Sequence, residues 1–312
     1  MLKECAALLE NSQVDVIYAR YHGGDPIFAR FAKKYGKKII TEHQTLETIE
    51  MRITSKYLKW FSEIFFGPKI LRSVTAIVGV TAEICNYEVK RSGNKIKFYL
   101  VNGNGIDVSS VPLRNAPSFD GKTLDLLCVA HVAKWHGLDR LIKGITNYNG
   151  ETEIKFHIIG EGTEIKKLKS LVSILKLEKY VIFHGFKTGK ELDRFFDRCH
   201  IAVGSLGLHR ISLRSSSILK VREYCARGIP FIIASTDLDF PDDFPYMMRV
   251  PANDEPVNIK ELIDFFDSIK DENYIEEMRN YARNKLDWTA KMKPVIDKLL
   301  SLVSYDETSK QL

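Results

Sequence analysis

Residues 124–160 read LDLLCVAHVAKWHGLDRLIKGITNYNGETEIKFHIIG, and the order of patterns within them decides the fold. LDLLCVA (124–130) and IKFHIIG (154–160) are short, nearly continuous apolar runs, and the segment between them reads better at a period of 3.6. Continuous apolar strands alternating with amphipathic helices mark parallel sheets covered on both faces. The same run recurs outward in both directions. VDVIYAR (14–20), KKIITEH (37–43), AIVGV (76–80) and KFYLV (97–101) precede it; YVIFHG (180–185), HIAVGS (200–205) and PFIIAS (230–235) follow. The expected fold class is therefore α/β. Between strand-like runs, SSVPLRNAPSFDGKT (109–123) gathers Pro, Ser, Thr and Gly, which predicts a boundary between two units, 1–115 and 116–312.

Composition narrows the function classes. The 312 residues are 45% hydrophobic and 28% charged, an ordinary globular balance with length enough for two cores. Forty-six Lys plus Arg against 40 Asp plus Glu leave a formal charge of +6, a modest excess that suits phosphorylated ligands or an anionic surface without requiring either. The basic residues are dispersed and no reading module is visible, which argues against nucleic acid. Cys5, Cys85, Cys128, Cys199 and Cys225 are odd in number and far apart, so they read as buried thiols of a reducing compartment. The N-terminal MLKECAALLE reaches Lys3, Glu4 and Glu10 before a long apolar run forms, unlike a signal peptide, and cytoplasm is the expected location. One segment stands apart: MRITSKYLKWFSEIFFGPKILR (51–72) interleaves five basic residues with five aromatic ones, a pattern of either an ordinary surface helix or a membrane-interface helix.

Ligands of open parallel sheets bind at the carboxyl ends of the strands, so polar residues just after strand runs carry the most weight. His43, the loop AHVAKWHG (130–137), the turn IGEG (159–162) and GSLGLHR (204–210) occupy such positions. In IGEG, Gly160 and Gly162 let backbone approach a ligand, although a turn needs glycine in any case. There is no GxGxxG and no GxxxxGK[ST], which removes the main support for a dinucleotide or P-loop reading. The densest segment is GLHRISLRSSSILKVREYCARGIPFI (207–232). Lys220 and Glu223, three apart, share a helix face near its beginning, where backbone N–H groups and an ammonium suit a phosphate and a carboxylate suits a sugar diol. A solvated surface helix is the plainer alternative.

Taken together, VNGNGID (101–107), WHGLDRLIKGI, IIGEG, VIFHGFKTGKEL, SLGLH and LKVREYCARGIPFI resemble the retaining, nucleotide-sugar-dependent glycosyltransferases of GT-B architecture, family 4-like, that build bacterial capsule, exopolysaccharide or O-antigen repeats. The resemblance covers roughly residues 14–300 and implies two Rossmann-like domains facing a cleft: an acceptor-side domain, 1–115, and a nucleotide-sugar domain, 116–312, whose C-terminal helices pack back towards the first. VDVIYAR arrives after only 13 residues, so the first domain is expected to be incomplete.

The resemblance carries over residue by residue. Glu223 matches the second acid of a pair seven apart and implies a clamp on the donor ribose; the first acid's position is Ser215, which can hydrogen-bond a sugar but supplies no charge. Lys220 and the backbone of Ile218 and Leu219 fall in the donor segment. His131 and His136, followed by Gly137, match positions that in related enzymes often hold an arginine and a lysine for the diphosphate, and neutral histidine would stabilise a leaving group less well. His43 is similar to the first-domain histidine beside donor sugar and acceptor, and Gly207 and His209 resemble the loop beside the transferred sugar. The implied catalytic residues are His43, His209 and Ser215. The implied reaction is sugar transfer, with retention, from a nucleoside diphosphate sugar to a polyprenyl-diphosphate-linked saccharide at the inner membrane face, with no cofactor or metal. Ser215 and the short front leave a second reading open, an impaired or inactive relative that still binds nucleotide sugar; a phosphorylase or epimerase of the same architecture is a third.

Overall fold

In the computed structural model, residues 1–11, 13–96, 98–269 and 273–308 are described, the last helix by its backbone alone beyond residue 301. The chain forms two units: Met1–Gly103 with Lys291–Leu312, and Asn104–Ala290.

In the first unit, strands β1 (Ile17–Arg20), β2 (Ile39–His43), β3 (Ala76–Gly79) and β4 (Phe98–Val101) form one parallel sheet in sequence order. Its helices are α1 (Leu2–Glu10), α2 (Pro26–Tyr35), α3 (Glu47–Ile53), α4 (Tyr57–Ser73) and α5 (Ala82–Arg91). Local chemistry starts two of them. Asp25 caps α2 by accepting from the N–H groups of Ile27 (2.6 Å) and Phe28 (3.1 Å), with Pro26 at the first helical position, and Thr81 caps α5 by accepting from Ile84 N–H. One sheet face buries Ile39 and Ile77 with Ala32 of α2 and Ile70 and Leu71 of α4. The other buries Ile40, Ala76 and Val78 beneath Leu299, which the chain supplies from its last helix.

The second unit holds β5 (Thr123–Val129), β6 (Glu153–Ile159), β7 (Val181–Gly185), β8 (Ile201–Val203), β9 (Phe231–Ile233) and β10 (Met247–Arg249), all parallel, in the order β10-β9-β8-β5-β6-β7. Helices α6 (Leu138–Asn147), α7 (Ile165–Ile174) and α10 (Ile259–Ser268) cover one face; α8 (Gly189–Arg198), α9 (Leu219–Arg227) and α11 (Tyr274–Tyr281) cover the other, and α12 (Trp288–Thr308) follows. Residues 104–115 belong wholly to this unit: Arg114 donates to the carbonyls of Gly228 (3.0 Å) and Cys199 (2.5 Å) and to Tyr274 Oη (2.6 Å).

All nine apolar runs of the sequence fall on strands β1 to β9. The tenth strand, Met247–Arg249, is three residues without a β-branched side chain, so nothing in its composition marked it; pairing with β9 makes it a strand. The basic and aromatic stretch 51–72 is two helices rather than one, broken at Ser55 with φ 56°. All five cysteines are free thiols, and four of them are buried.

A candidate donor site at the switch point of the second sheet

The connections leaving β5 run towards β6 and β7, whereas β8 lies on the other side of β5, so the order reverses between β5 and β8. Such a reversal opens a crevice at the carboxyl ends of the two strands. They pair only at Leu126 with Ile201 and Leu127 with Ala202. Beyond that point α9 spans the gap. Tyr224 Oη donates to Val203 C=O and accepts from Val129 N–H, both at 3.3 Å. One turn earlier, Lys220 Nζ donates to Gly204 C=O at 3.0 Å and lies 3.7 Å from Cys128 Sγ. Burial pushes the Lys220 ammonium below its ordinary pKa and the Cys128 thiol above its own, so the thiol is no counter-ion and the ammonium is paired chiefly with a carbonyl.

The loop after β5 forms one wall. His131 is exposed, whereas His136 is buried, with its Nδ1 accepting from Ala133 N–H at 3.0 Å, which leaves the hydrogen on Nε2. Burial first, and Lys220 second, depress its pKa to about 2, so His136 is a neutral donor at any working pH. Gly137 follows with φ 62°, and a Cβ there would meet Gly207 N at 2.7 Å. The two loops are joined by hydrogen bonds from Leu206 N–H to His136 C=O (2.9 Å) and from Gly207 N–H to Trp135 C=O (3.1 Å). Gly160 (φ 116°) and Gly162 (φ 146°) lie against the same loop, where Cβ atoms would sit 2.0 Å from Ala130 O and 2.2 Å from Val132 O.

The segment after β8 forms the other wall. Arg210 anchors it with a two-pronged bond to Asp139 at the start of α6 (2.7 and 2.9 Å) and a third to Asp254 (2.6 Å). His209 Nε2 lies 3.1 Å from Asp254, and its buried Nδ1 has no hydrogen-bond partner among the described residues. A cleft of about 770 Å³ opens here, lined by His209, Arg214, Thr236 and Arg249 among others. Ser215 bridges in parallel to Thr236 on its rim. Ser216 Oγ meets Ser235 Oγ at 2.7 Å, and Ser217 Oγ accepts from Asn104 N–H at 2.6 Å, so the serine run is held on both sides. Ile218 precedes α9 and Leu219 begins it, half exposed. Glu223 is partly exposed and accepts from Arg227 Nε at 2.8 Å, while Arg227 also pairs with Asp193. On the inner side of α9, Arg222 is fully buried between Asp237 and Asp239.

In the first unit, His43 ends β2 and is fully buried. Its ring stacks on Tyr21 at 4.5 Å, its Nε2 meets Thr41 Oγ1 at 3.0 Å, and its Nδ1 faces Glu88 (3.5 Å) and Glu47 (3.8 Å). Arg91 binds Glu88 (3.0 and 3.2 Å) and Glu63, and Tyr21 Oη donates to Glu63 at 3.0 Å. Burial alone would lower the pKa of His43, but the two carboxylates outweigh it and raise it to about 9. Glu47 is driven up to about 8 by burial, whereas His43 and Arg91 overcome burial at Glu88 and hold it down. The ligand atoms of His43, Glu47 and Glu88 lie within 4.8 Å of one another, the spacing a cation would need. Arg91 and the imidazolium already supply positive charge there.

Residues 112–284 match the family described as glycosyl transferases group 1. The chain belongs to that family. No curated protein sequence matches it. Among solved structures it is similar to a glycosyltransferase from Rickettsia africae (13% identity, 97% of this chain and 80% of that one, TM-score 0.62). It is also similar to HepE from Anabaena in complex with UDP and glucose (12% identity, 95% and 81% covered, TM-score 0.63) and to the lipopolysaccharide outer core galactosyltransferase WaaB in its apo form (17% identity, 98% and 79% covered, TM-score 0.55). At these identities the likeness is one of fold, the GT-B fold with two Rossmann-like sheets.

Of the positions singled out in the sequence of this glycosyl transferase, Lys220, His136, Gly137 and Gly207 converge at the switch point, with Gly160 and Gly162 against the adjoining loop. His209 instead lines the neighbouring cleft, and Ser215 bridges to Thr236 of its lining. Tyr224 was missed, although its four-residue spacing from Lys220 was a signal. Glu47 and Glu88 were missed as partners of His43, although Glu47 lies only four residues on; the Arg210 anchor was missed because pairing across 71 residues leaves no local trace.

Proposed function

We propose that this protein is a retaining glycosyltransferase that moves a sugar from a nucleoside diphosphate sugar to a polyprenyl-diphosphate-linked saccharide in cell-surface polysaccharide synthesis, acting in the cytoplasm at the inner membrane face. One observation carries the reading: the family match coincides with the unit whose strand-order reversal is bridged by Lys220 and Tyr224. HepE, solved in complex with UDP and glucose, supports the donor class, and WaaB, a lipopolysaccharide outer core galactosyltransferase, supports a place in cell-surface polysaccharide synthesis.

In this reading Lys220, the His136 Nε2–H, His131 and the backbone N–H groups of Gly162, Ile218 and Leu219 hold the diphosphate as negative charge grows on the leaving oxygen, while Gly160, whose N–H is donated to Gly185 C=O, shapes the turn. Glu223 takes the ribose hydroxyls and Gly207, His209 and Ser215 the sugar. His43 is buried, so its contribution is the positive charge it keeps beneath the surface rather than a direct proton transfer. Retention follows from attack on the leaving-group side, with the departing phosphate receiving the acceptor proton and no metal required.

The test pairs calorimetry with release of nucleoside diphosphate over a panel of donors, with a membrane lipid extract as acceptor and Glu223→Gln as control. Donor-specific release that needs the extract and falls in the variant supports transfer. A second reading rests on Ser215, which brings no charge to the position of an acid: binding without release identifies an inactive relative. No binding by folded protein overturns the donor site.

A further inference from the structure

The cleft beside the switch point opens past the carboxyl ends of β8, β9 and β10, and two arginines line it: Arg214, from the segment after β8, and Arg249, the last residue of β10. Among the described residues of its lining none is acidic. The carboxylates nearby are already engaged. Asp254 holds Arg210 and meets His209, and Asp237 and Asp239 hold Arg222. Asp242 pairs with Arg249, but it is 85% exposed, and an ion pair in water is weak.

The walls are fixed before any ligand arrives. Buried Arg140 donates to Pro251 C=O (2.9 Å) and Leu206 C=O (2.6 Å), and Thr236 N–H donates to Arg214 C=O (2.9 Å), so the backbone on both sides of the cleft is held.

The lining chemistry selects among ligands. A neutral sugar presents hydroxyl groups that donate as well as accept, and it asks its site for acceptors. A guanidinium group only donates. Arg214 is exposed, and Arg249 Nε has no hydrogen-bond partner among the described residues. Two guanidinium groups without a carboxylate in the lining suit a ligand group that only accepts, and a carboxylate meets arginine in a two-pronged bond. In the transferase reading the donor's phosphates are accounted for at Lys220 and His136. Ser215, bridged to Thr236 of the lining, falls on the sugar, so the negative charge that reaches this cleft is one on the sugar itself.

We propose, building on the transferase reading, that the donor is a nucleoside diphosphate uronic acid and that Arg214 and Arg249 select it through the carboxylate of the transferred sugar.

Calorimetry on the full chain tests this by comparing each uronic donor with its neutral counterpart: UDP-glucuronate with UDP-glucose, UDP-galacturonate with UDP-galactose and GDP-mannuronate with GDP-mannose, alongside UDP and GDP alone. In one pair the uronic donor should bind about tenfold tighter, and the advantage should shrink as salt rises. Arg214→Gln and Arg249→Gln should each erase most of that advantage, while affinity for the nucleoside diphosphate alone stays as in the wild type, which also shows that the variants fold. Binding of the nucleoside diphosphate with uronic and neutral donors held equally overturns the carboxylate site and leaves the transferase reading standing. A preference that survives both substitutions does the same. If folded protein binds none of the nucleotides, the transferase reading falls and the donor assignment falls with it.

Discussion

Gly137 and Gly207 meet backbone to backbone, so close that a Cβ on Gly137 would lie 2.7 Å from the Gly207 nitrogen. The contact sets the loop after β5 against the loop after β8, on either side of the strand-order reversal, and Gly137 adopts φ 62° to make it.

Gly137→Ala should therefore cost more than its backbone angle alone. Gly121 also has positive φ (78°) but nothing within 4 Å of its would-be Cβ. Gly121→Ala is expected to destabilise by about 1 kcal/mol and Gly137→Ala by about 1–3 kcal/mol plus the displacement of the 206–207 backbone. Equal losses in parallel denaturant titrations would mean that the loop contact contributes nothing.

Lys220 and Tyr224 should separate function from stability. Tyr224→Phe leaves Val129 N–H and Val203 C=O without their shared partner and should cost about 1–2 kcal/mol. Lys220→Met removes a buried charge held by a carbonyl, so stability should change little, while transfer should fall about a hundredfold. Unaltered turnover in Lys220→Met would remove the lysine from the proposed phosphate site.

The His43 cluster makes stability depend on alkaline pH. A histidine whose pKa is raised from 6.5 to about 9 contributes fully below 6.5 and loses that contribution as pH rises through 9. Glu47, raised from 4.5 to about 8, acts in the same direction, because the fold favours its protonated form. The melting temperature should fall by several degrees between neutral pH and about pH 9, and Glu47→Gln, which keeps a neutral side chain at that position, should flatten the slope. A wild-type profile level across that range would mean that neither group holds its proton as described.

Arg222 is a structural charge. Arg222→Met would leave Asp237 and Asp239 facing a buried, uncompensated site and should cost about 3–5 kcal/mol. Replacing all three by apolar residues should recover much of the loss; if it does not, the arginine's packing against Phe240 matters more than its charge.

Pattern alone was enough for the strands. LDLLCVA and PFIIAS form strands buried on both faces, so their apolar character is continuous, whereas VDVIYAR forms the half-buried edge strand β1. Gly160 and Gly162 were legible for a related reason: positive φ is a local demand that glycine meets at no steric cost. Lys220 was read as a candidate phosphate-binding residue from its place at a helix start, and it lies where the strand order reverses, bonded to Gly204 C=O. The sequence by itself thus determined an α/β chain, nine of its ten strands and the loops that carry polar chemistry. Tertiary structure decided the rest. Which strand lies beside β5, that Tyr224 and Lys220 bridge the parted strands, that burial and Lys220 lower the pKa of His136 and that Glu88 helps to raise that of His43 all depend on residues far apart in sequence. Periodicity reports which side chains avoid water; it says nothing of which distant backbone or charge they will meet once they do.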